Sequence, residues 1–188
     1  LCMRGQEENE MGPVVSDTHQ KKVLGYIDKG ESEGAKLVVD GRKLRVPGYD
    51  AGYYVGGTLF DHVTPEMTIW REEIFGPVLG IVRAADYDSA LELVNSHEFG
   101  NGSAVFTSNG HTAREFVHDV QAGMGGVNVP VPVPMAFHSF GGWKRSVFGA
   151  LNVHGPDGVR FYTRMKTATV RWPAGQQTVS EFSMPTLG

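Results

Sequence analysis

The chain has 188 residues and a formal net charge of −4, and 40% of its residues are hydrophobic while 20% are charged. These values predict a folded domain of ordinary size, or a piece of a larger one, and they exclude a disordered chain. No basic stripe suggests a nucleic-acid partner, because phosphate binding requires clustered Lys and Arg. No apolar run approaches the roughly 20 residues that span a bilayer, so we expect no membrane partner.

Cys2 is the one cysteine of the sequence. A single cysteine excludes an internal disulfide and a zinc site of clustered cysteines, and we expect no metal site. The first ten residues are polar and acidic and resemble neither a signal peptide nor a transit peptide. Two interpretations follow. Either the protein acts in a reducing compartment, the cytoplasm or the mitochondrial matrix of a eukaryote, or its true amino terminus is missing.

The first predicted elements are a helix, two strands and a second, short helix. Ser16 and Asp17 form a good helix N-cap, and the helix is expected to end at Gly30 or Gly34. The elements after it are two strands and one short helix capped by Thr64, at residues 36–41, 53–63 and 64–70.

The middle of the chain alternates strands with amphipathic helices. Apolar strands are predicted at residues 77–84, 102–109 and 125–130. The helices between them are predicted at residues 86–100 and 111–123. Such β-α-β-α-β units wind right-handed into a parallel sheet. The predicted fold class is therefore α/β, an open, mainly parallel twisted sheet with helices on both faces. The continuous apolar character of residues 77–84 further predicts a strand that is covered on both faces.

The carboxyl-terminal part begins with a long irregular segment, residues 129–146, whose alternating Val and Pro force an extended backbone. A helix is predicted over 155–165. Residues 166–172 alternate like a strand at a sheet edge or an interface. From Pro173 onward the sequence is typical of an irregular arm.

Several well-known motifs are absent from the sequence. It contains no P-loop, no H-E-x-x-H and no G-x-S-x-G. The nearest approach to the dinucleotide fingerprint, Gly123 and Gly125, has Asn128 where the third glycine belongs. If a nucleotide binds, most of its pocket must come from other sequence.

The stretch TIWREEIFGPVLGIV, residues 68–82, places Glu73 two residues before Phe75 and directly ahead of Gly76 and Pro77. One interpretation is a nucleotide site, in which a carboxylate at the mouth of a parallel sheet accepts two hydrogen bonds from a ribose diol. The aromatic ring would then lie against a flat heterocycle. The other interpretation is a helix end followed by a strand, with the carboxylate in solvent and Phe75 in the core. On spacing alone, the second interpretation is favoured.

EEIFGPVL resembles the signature of the aldehyde dehydrogenase superfamily, and the resemblance continues through ALELVNSHEFGNGSAVFT and FHSFGGWKRSVFG. NVPVPVPMAFHSFGGWK, GPDGVRFYTRMKTATVRWP and the final FSMPT are similar to the methylmalonate-semialdehyde dehydrogenase branch. The match covers residues 11–186 and implies the carboxyl-terminal half of such an enzyme. Residues 1–165 would belong to its catalytic domain, and residues 166–188 would form an oligomerisation strand and tail.

The resemblance implies roles for individual residues. The carboxylate of Glu73 would hold the nicotinamide ribose of NAD, and Phe75 would pack near the nicotinamide ring. Phe140 matches the aromatic residue that lines the substrate channel. His138, in the same loop, is either a structural hydrogen-bond partner or an acid–base group of the channel. Asn128 at a strand end either orients the channel or caps a turn.

The resemblance also implies that the chain lacks the catalytic nucleophile. The family's cysteine lies farther upstream of the Glu-Ile-Phe-Gly-Pro motif than Cys2 does, and the sequence around Cys2 departs from the family pattern. We therefore expect no catalytic residue in this chain, and we expect the isolated chain to be inactive as a dehydrogenase.

Three functions stay open from the sequence. The first is an NAD-dependent enzyme that oxidises a small-molecule aldehyde, methylmalonate or malonate semialdehyde, with CoA as the acyl acceptor. The second is another branch of the superfamily that forms a free acid. The third is a non-enzymatic assembly module. Residues 166–172 would in each case favour a homo-oligomer, because an exposed strand edge can pair with a neighbouring subunit.

Overall fold

The computed structural model describes residues 11–172. In this range the helices are α1 (Asp17–Ser32), α2 (Thr68–Arg71), α3 (Tyr87–Ser96), α4 (Gly110–Asp119) and α5 (Gly155–Tyr162). The strands are β1 (Lys36–Val39), β2 (Thr58–Asp61), β3 (Val78–Gly80), β4 (Phe99–Gly100), β5 (Gly102–Val105), β6 (Met124–Val127) and β7 (Trp143–Lys144). None of these helices combines the length and apolar character needed to cross a bilayer.

Helix α1 begins where the sequence predicts. The Ser16 side-chain oxygen accepts a hydrogen bond from the backbone N–H of His19 at 3.2 Å, which satisfies an otherwise unpaired amide of the first turn. Val23 and Ile27, four residues apart on one face, are fully buried. The helix ends two residues before Gly34, whose φ of +99° is left-handed and easily adopted by glycine. The predicted cap and the predicted end at Gly34 are confirmed.

The first sheet packs against α1. Its strand order is β1-β2-β3, with β1 antiparallel to β2 and β2 parallel to β3. Phe60 of β2 is fully buried and shares one core cluster with Val23 and Ile27 of α1. Ile74 and Val78, at the entrance to β3, pack against the same cluster. Helix α1 and the segment that leads into β3 therefore rest on a common core.

A second core cluster lies under α3 and α4. Strands β5 and β6 pair in parallel, from Gly102 opposite Met124 to Val105 opposite Val127, with α4 as the crossover between them. The cluster itself contains Phe116, Val120 and Ala122. The predicted strand–helix–strand unit over residues 102–130 is therefore confirmed. Asp86 caps α3 as predicted, accepting from the Ser89 N–H at 2.8 Å, but α3 ends at Ser96 instead of Gly100.

The predicted single sheet is wrong for the described residues, which form three small sheets. Strand β3 pairs with β2 and not with β5, and β4 pairs antiparallel with β7. An order of strand, helix and strand predicts the hand of a crossover but not whether the two strands are hydrogen-bonded neighbours. The α/β class is correct, whereas the one continuous parallel sheet is not present in residues 11–172.

The prediction that both faces of the strand at residues 77–84 are covered is also wrong. Leu79 on β3 is 63% exposed, and Phe106 just after β5 is 65% exposed. An apolar run predicts burial only if the fold provides a layer on each side. Residues 11–172 provide no such layer over these two side chains.

The remaining predictions concern the cap of α2 and the carboxyl-terminal part of the chain. Helix α2 has Met67 as its N-cap, and Thr64 belongs instead to a preceding turn in which its carbonyl accepts from the Met67 N–H at 3.1 Å. Helix α5 confirms the predicted helix near residues 155–165. Residues 166–172 lie outside helices and strands and are exposed, so the oligomerisation strand stays a prediction, since such a strand needs a partner chain to complete its hydrogen bonds. The arm from Pro173 lies outside the described residues.

Candidate functional site

The segment Glu72–Phe75 connects α2 to β3 and turns two side chains outward. Ile74 packs against the main core cluster, whereas Glu73 and Phe75 on either side of it are exposed. The partly buried Ile74 therefore anchors this segment to the core, while its two neighbours remain in solvent. The structure therefore presents the predicted carboxylate and the predicted ring at the protein surface.

Phe75 does not lie in the core. Its side chain is 77% exposed, and its backbone has a φ of +57°. A bulky residue in this left-handed region costs about 1–2 kcal/mol. Surrounding contacts must hold such a residue in place. One of them is His19, whose Nε2 lies 2.7 Å from the Phe75 carbonyl oxygen and whose ring meets the Phe75 ring edge-on at 6.2 Å.

Glu73 lies in the wall of a cavity of about 420 Å³, a volume within the range of ligand sites. The cavity lies between the segment after α2 and the turns around β4 and β7. Other wall residues are Trp70, Glu72, His97, Phe99, Asn101 and Arg145. Within residues 11–172 the Glu73 carboxylate makes no hydrogen bond and no ion pair, so both of its oxygens are available to a ligand.

The other charged groups of this wall already have partners. The Tyr26 hydroxyl donates to Glu72 Oε2 at 2.6 Å, and this bond to a carboxylate raises the pKa of Tyr26 above its ordinary value. Arg145 pairs with Glu98, and its guanidinium lies 5.4 Å from the centre of the Phe99 ring. Among these acidic side chains, Glu73 is the carboxylate that stays unengaged.

His97 is a wall residue that the sequence did not single out. Its Nδ1 accepts from the Phe99 backbone N–H at 3.1 Å, so its Nε2 carries the hydrogen that it donates to the Trp70 carbonyl, also at 3.1 Å. Lys144 anchors the same region by donating to the carbonyls of Asn95 and His97 at the end of α3. No motif spacing marks either residue, because the carbonyl groups to which they donate lie 27 to 49 positions away in the sequence.

Phe140 lies in the wall of a second cavity, of about 490 Å³. Its ring stacks on His154, with centroids 4.6 Å apart and planes 11° from parallel. Asn101 and Ser146 belong to the walls of both cavities. The structure thus brings the predicted ribose-binding carboxylate and the predicted channel aromatic to two adjoining cavities.

Asn128 and His138 lie outside the walls of these two cavities. Asn128 has a φ of +56°, and its side-chain amide bridges Thr107: Oδ1 accepts from the Thr107 N–H at 2.9 Å, and Nδ2 donates to the Thr107 carbonyl at 3.0 Å. The His138 ring lies beside Phe137, and its backbone N–H bonds the Met135 carbonyl at 3.0 Å. These contacts favour structural roles, and the channel roles of both residues stay predictions.

Two expectations concern chemistry outside these cavities. Cys2, which we do not expect to be the nucleophile, lies outside the described residues. Within residues 11–172, no group of three or more His, Cys, Asp or Glu side chains is arranged to bind a metal ion.

Comparison with known proteins identifies relatives along nearly the whole chain. The profile of the aldehyde dehydrogenase family matches residues 3–168. The malonate-semialdehyde dehydrogenase of Pseudomonas aeruginosa is 56% identical over 179 residues, which cover 95% of this chain and 36% of that protein. Malonate-semialdehyde dehydrogenase 1 of Bacillus licheniformis is 52% identical over 166 residues, 88% of this chain and 34% of that protein. The chain spans about a third of the length of these curated relatives.

Solved structures agree with this assignment. A methylmalonate-semialdehyde dehydrogenase from Oceanimonas doudoroffii superposes with a TM-score of 0.86 at 56% identity, covering 90% of this chain and 35% of that one. A proposed methylmalonate-semialdehyde dehydrogenase from Sinorhizobium meliloti, crystallised with NAD, has the same TM-score and coverage at 54% identity. An aldehyde dehydrogenase of Mycobacterium tuberculosis, complexed with NAD+, superposes with a TM-score of 0.74 at 34% identity, covering 82% of this chain and 31% of that one. The chain belongs to the aldehyde dehydrogenase family.

Proposed function

We propose that this chain contributes the nicotinamide-riboside end of the cofactor site, and part of the substrate channel, to an NAD-dependent aldehyde dehydrogenase. Its substrate is malonate or methylmalonate semialdehyde, and its acyl acceptor is CoA. The proposal depends on one observation: the Glu73 carboxylate lies in a cavity wall without a hydrogen-bond partner. Two residues later, Phe75 has an exposed side chain and a left-handed backbone φ. Named relatives at 52–56% identity support the substrate class.

The residues present fit a nicotinamide riboside. A ribose diol has two hydroxyl donors, and the Glu73 carboxylate offers two free acceptor oxygens. A flat pyridine ring needs an aromatic or apolar surface, and Phe75, two residues after Glu73 in the sequence, is 77% exposed, although it lies outside the wall of the cavity that Glu73 lines. Bound NAD would supply the hydride acceptor for oxidation of the aldehyde. The role of Glu73 is to orient the sugar, and the role of Phe75 is to fix the plane of the ring.

The remaining chemistry comes from groups outside residues 11–172. The expected reaction starts with attack of a thiolate on the aldehyde carbon, continues with loss of hydride from that carbon, and ends with transfer of the acyl group to the sulfur of CoA. Residues 11–172 contain no cysteine. Phe140, stacked on His154, would line the approach of the aldehyde. We place the reaction in the cytoplasm, or in the mitochondrial matrix of a eukaryote, and we propose that residues 166–172 join subunits of a homo-oligomer.

The test joins this chain to the parts of the enzyme that it does not span. In a chimera, residues 11–172 replace the matching segment of the Sinorhizobium meliloti relative, and NADH formation is followed with methylmalonate semialdehyde. We expect activity that requires CoA and yields an acyl-CoA by mass spectrometry. A free acid formed at the same rate without CoA would favour the other superfamily branch instead.

The site assignment is tested in the same chimera. Glu73→Gln removes the charge that accepts the ribose hydroxyls, so the KM for NAD should rise by about tenfold, as expected for one hydrogen-bonded charged group. Glu92→Gln is the matched control, an exposed carboxylate of α3 that lines neither cavity. Equal KM values for the two variants would refute the assignment. The 188-residue chain assayed alone should show no turnover with NAD and CoA.

A further inference from the structure

One face of α1 contacts the segment that carries Glu73 and Phe75. His19, Lys22 and Tyr26 are spaced by three and four residues, so they form one row on the helix surface. His19 reaches the Phe75 carbonyl at 2.7 Å, and Tyr26 reaches the Glu72 carboxylate at 2.6 Å. Lys22 lies between them, with its Nζ 3.4 Å from the Glu73 carbonyl oxygen.

The two short bonds have defined directions. A carbonyl oxygen only accepts, so His19 Nε2 must carry the hydrogen that it gives to Phe75. The Tyr26 hydroxyl donates to an ionised carboxylate, which makes a stronger bond than one between neutral groups. Tyr26 therefore holds Glu72 through the Glu72 side chain, and His19 holds Phe75 through the Phe75 backbone.

Close packing brings the helix and the segment together. A Cβ on Gly76 would lie 2.6 Å from Val23 Cγ2, so α1 approaches the backbone at a distance that only glycine permits. Immediately before this contact, Phe75 has its φ of +57°. A bulky residue keeps such a conformation only when neighbouring contacts over-determine it, and the His19 bond is one of those contacts.

We propose that His19 and Tyr26 are positioning residues for the nicotinamide-riboside site. The Glu73 carboxylate has no partner of its own in the described residues, so its position is set by the backbone on either side. Tyr26 fixes that backbone through Glu72, and His19 fixes it through Phe75. The inference rests on the proposed roles of Glu73 and Phe75 toward NAD, and it assigns to α1 the pre-organisation of both groups.

The kinetic test uses the chimera described above. Tyr26→Phe removes only the hydroxyl, and His19→Phe keeps an aromatic ring but removes both ring nitrogens and with them the donor to Phe75. Each variant should raise the KM for NAD about three- to tenfold, with a smaller change in the KM for the aldehyde. His19→Gln keeps a side-chain N–H donor and should restore most of the affinity. Lys21→Met is the matched control, because Lys21 lies on the same helix and pairs with Asp17 instead.

A double variant that combines Tyr26→Phe with Glu73→Gln distinguishes a positioning role of Tyr26 from a general loss of stability. If Tyr26 acts through the segment that carries Glu73, Tyr26→Phe should have little further effect in a Glu73→Gln background. Effects that multiply fully in the double variant would overturn the proposal. So would a KM change in Tyr26→Phe no larger than that of Lys21→Met.

A second measurement needs neither nucleotide nor turnover. In the 188-residue chain, ¹⁵N relaxation at Glu73, Ile74 and Phe75 should show greater fast-timescale mobility in His19→Phe than in Lys21→Met. Equal mobility would overturn the positioning role. If mobility rises while Glu73→Gln leaves the KM for NAD unchanged in the chimera, the proposed cofactor site fails and the anchoring of the segment by α1 stands.

Discussion

Asp61, the last residue of β2, and Arg83, three residues after the end of β3, form an ion pair with two hydrogen bonds. Arg83 Nε donates to Asp61 Oδ1 at 2.9 Å, and Nη2 donates to Oδ2 at 2.7 Å. Asp61 is buried, whereas the Arg83 side chain is largely exposed. Arg83 holds the pKa of Asp61 down to about 2. The pair therefore joins the end of β2 to the chain that follows β3, two strands that precede and follow the Glu72–Phe75 segment in the sequence.

The first prediction is an acid-dependent loss of stability. A carboxyl whose pKa is lower in the folded state stabilises the protein above its unfolded pKa of about 3.9, and this stabilisation disappears as the pH falls toward the folded value. The melting temperature of the chain should therefore fall as the pH is lowered from about 5 toward 2. Asp61→Asn should melt at a lower temperature at pH 7 and show a shallower dependence in this window. If the melting temperature of Asp61→Asn fell with pH as steeply as that of the parent chain, the effect could not be assigned to Asp61.

The second prediction concerns the contact between Gly76 and Val23. Gly76→Ala should destabilise the chain by about 1–3 kcal/mol, because the new methyl group would overlap the Val23 side chain. Gly57→Ala is the control, since a Cβ at Gly57 meets no atom within 4 Å. Urea unfolding of both variants gives the comparison. In a Val23→Ala background the cost of Gly76→Ala should shrink, and an undiminished cost would show that overlap with Val23 is not its cause.

The third prediction concerns the left-handed backbone of Phe75. Phe75→Gly should be more stable than Phe75→Ala by about 1 kcal/mol, because glycine adopts a φ of +57° without the steric penalty of a Cβ. Both variants lose the same exposed ring, so the difference between them isolates the backbone. Chemical denaturation of the 188-residue chain measures it. In the chimera both variants should bind NAD more weakly than the parent, since each removes the ring.

The fourth prediction asks what Asn128 does. Asn128→Ala loses both hydrogen bonds to Thr107 and places a Cβ residue other than Asn at a φ of +56°, so it should destabilise the chain by about 1–3 kcal/mol. Glycine adopts a φ of +56° without strain, so Asn128→Gly measures the loss of the two side-chain hydrogen bonds alone. Unfolding midpoints separate the two contributions. A structural clamp leaves the KM values of the chimera unchanged, whereas a raised KM for the aldehyde in Asn128→Gly would favour the channel role.

The sequence by itself determined the local helices and strands and the candidate cofactor-binding residues. Ser16 and Asp86 are N-caps whose side chains bond amides three residues away, so their positions are readable from short-range order. The α4 crossover between β5 and β6 is a local unit for the same reason. The EEIFGP stretch identified Glu73 and Phe75 through its resemblance to the family signature, whereas spacing alone favoured a solvated carboxylate and a core Phe75.

Tertiary structure alone decided which distant segments meet. The bond from His19 to Phe75 joins residues 56 positions apart, and the Lys144 bonds to Asn95 and His97 join residues 49 and 47 positions apart. No periodicity encodes such pairs, because they depend on how α1 and β7 pack after the chain has folded. The division of the strands into three small sheets and the exposure of Leu79 have the same origin: hydrophobic patterning shows that a strand can be buried, but the surrounding fold decides what covers it.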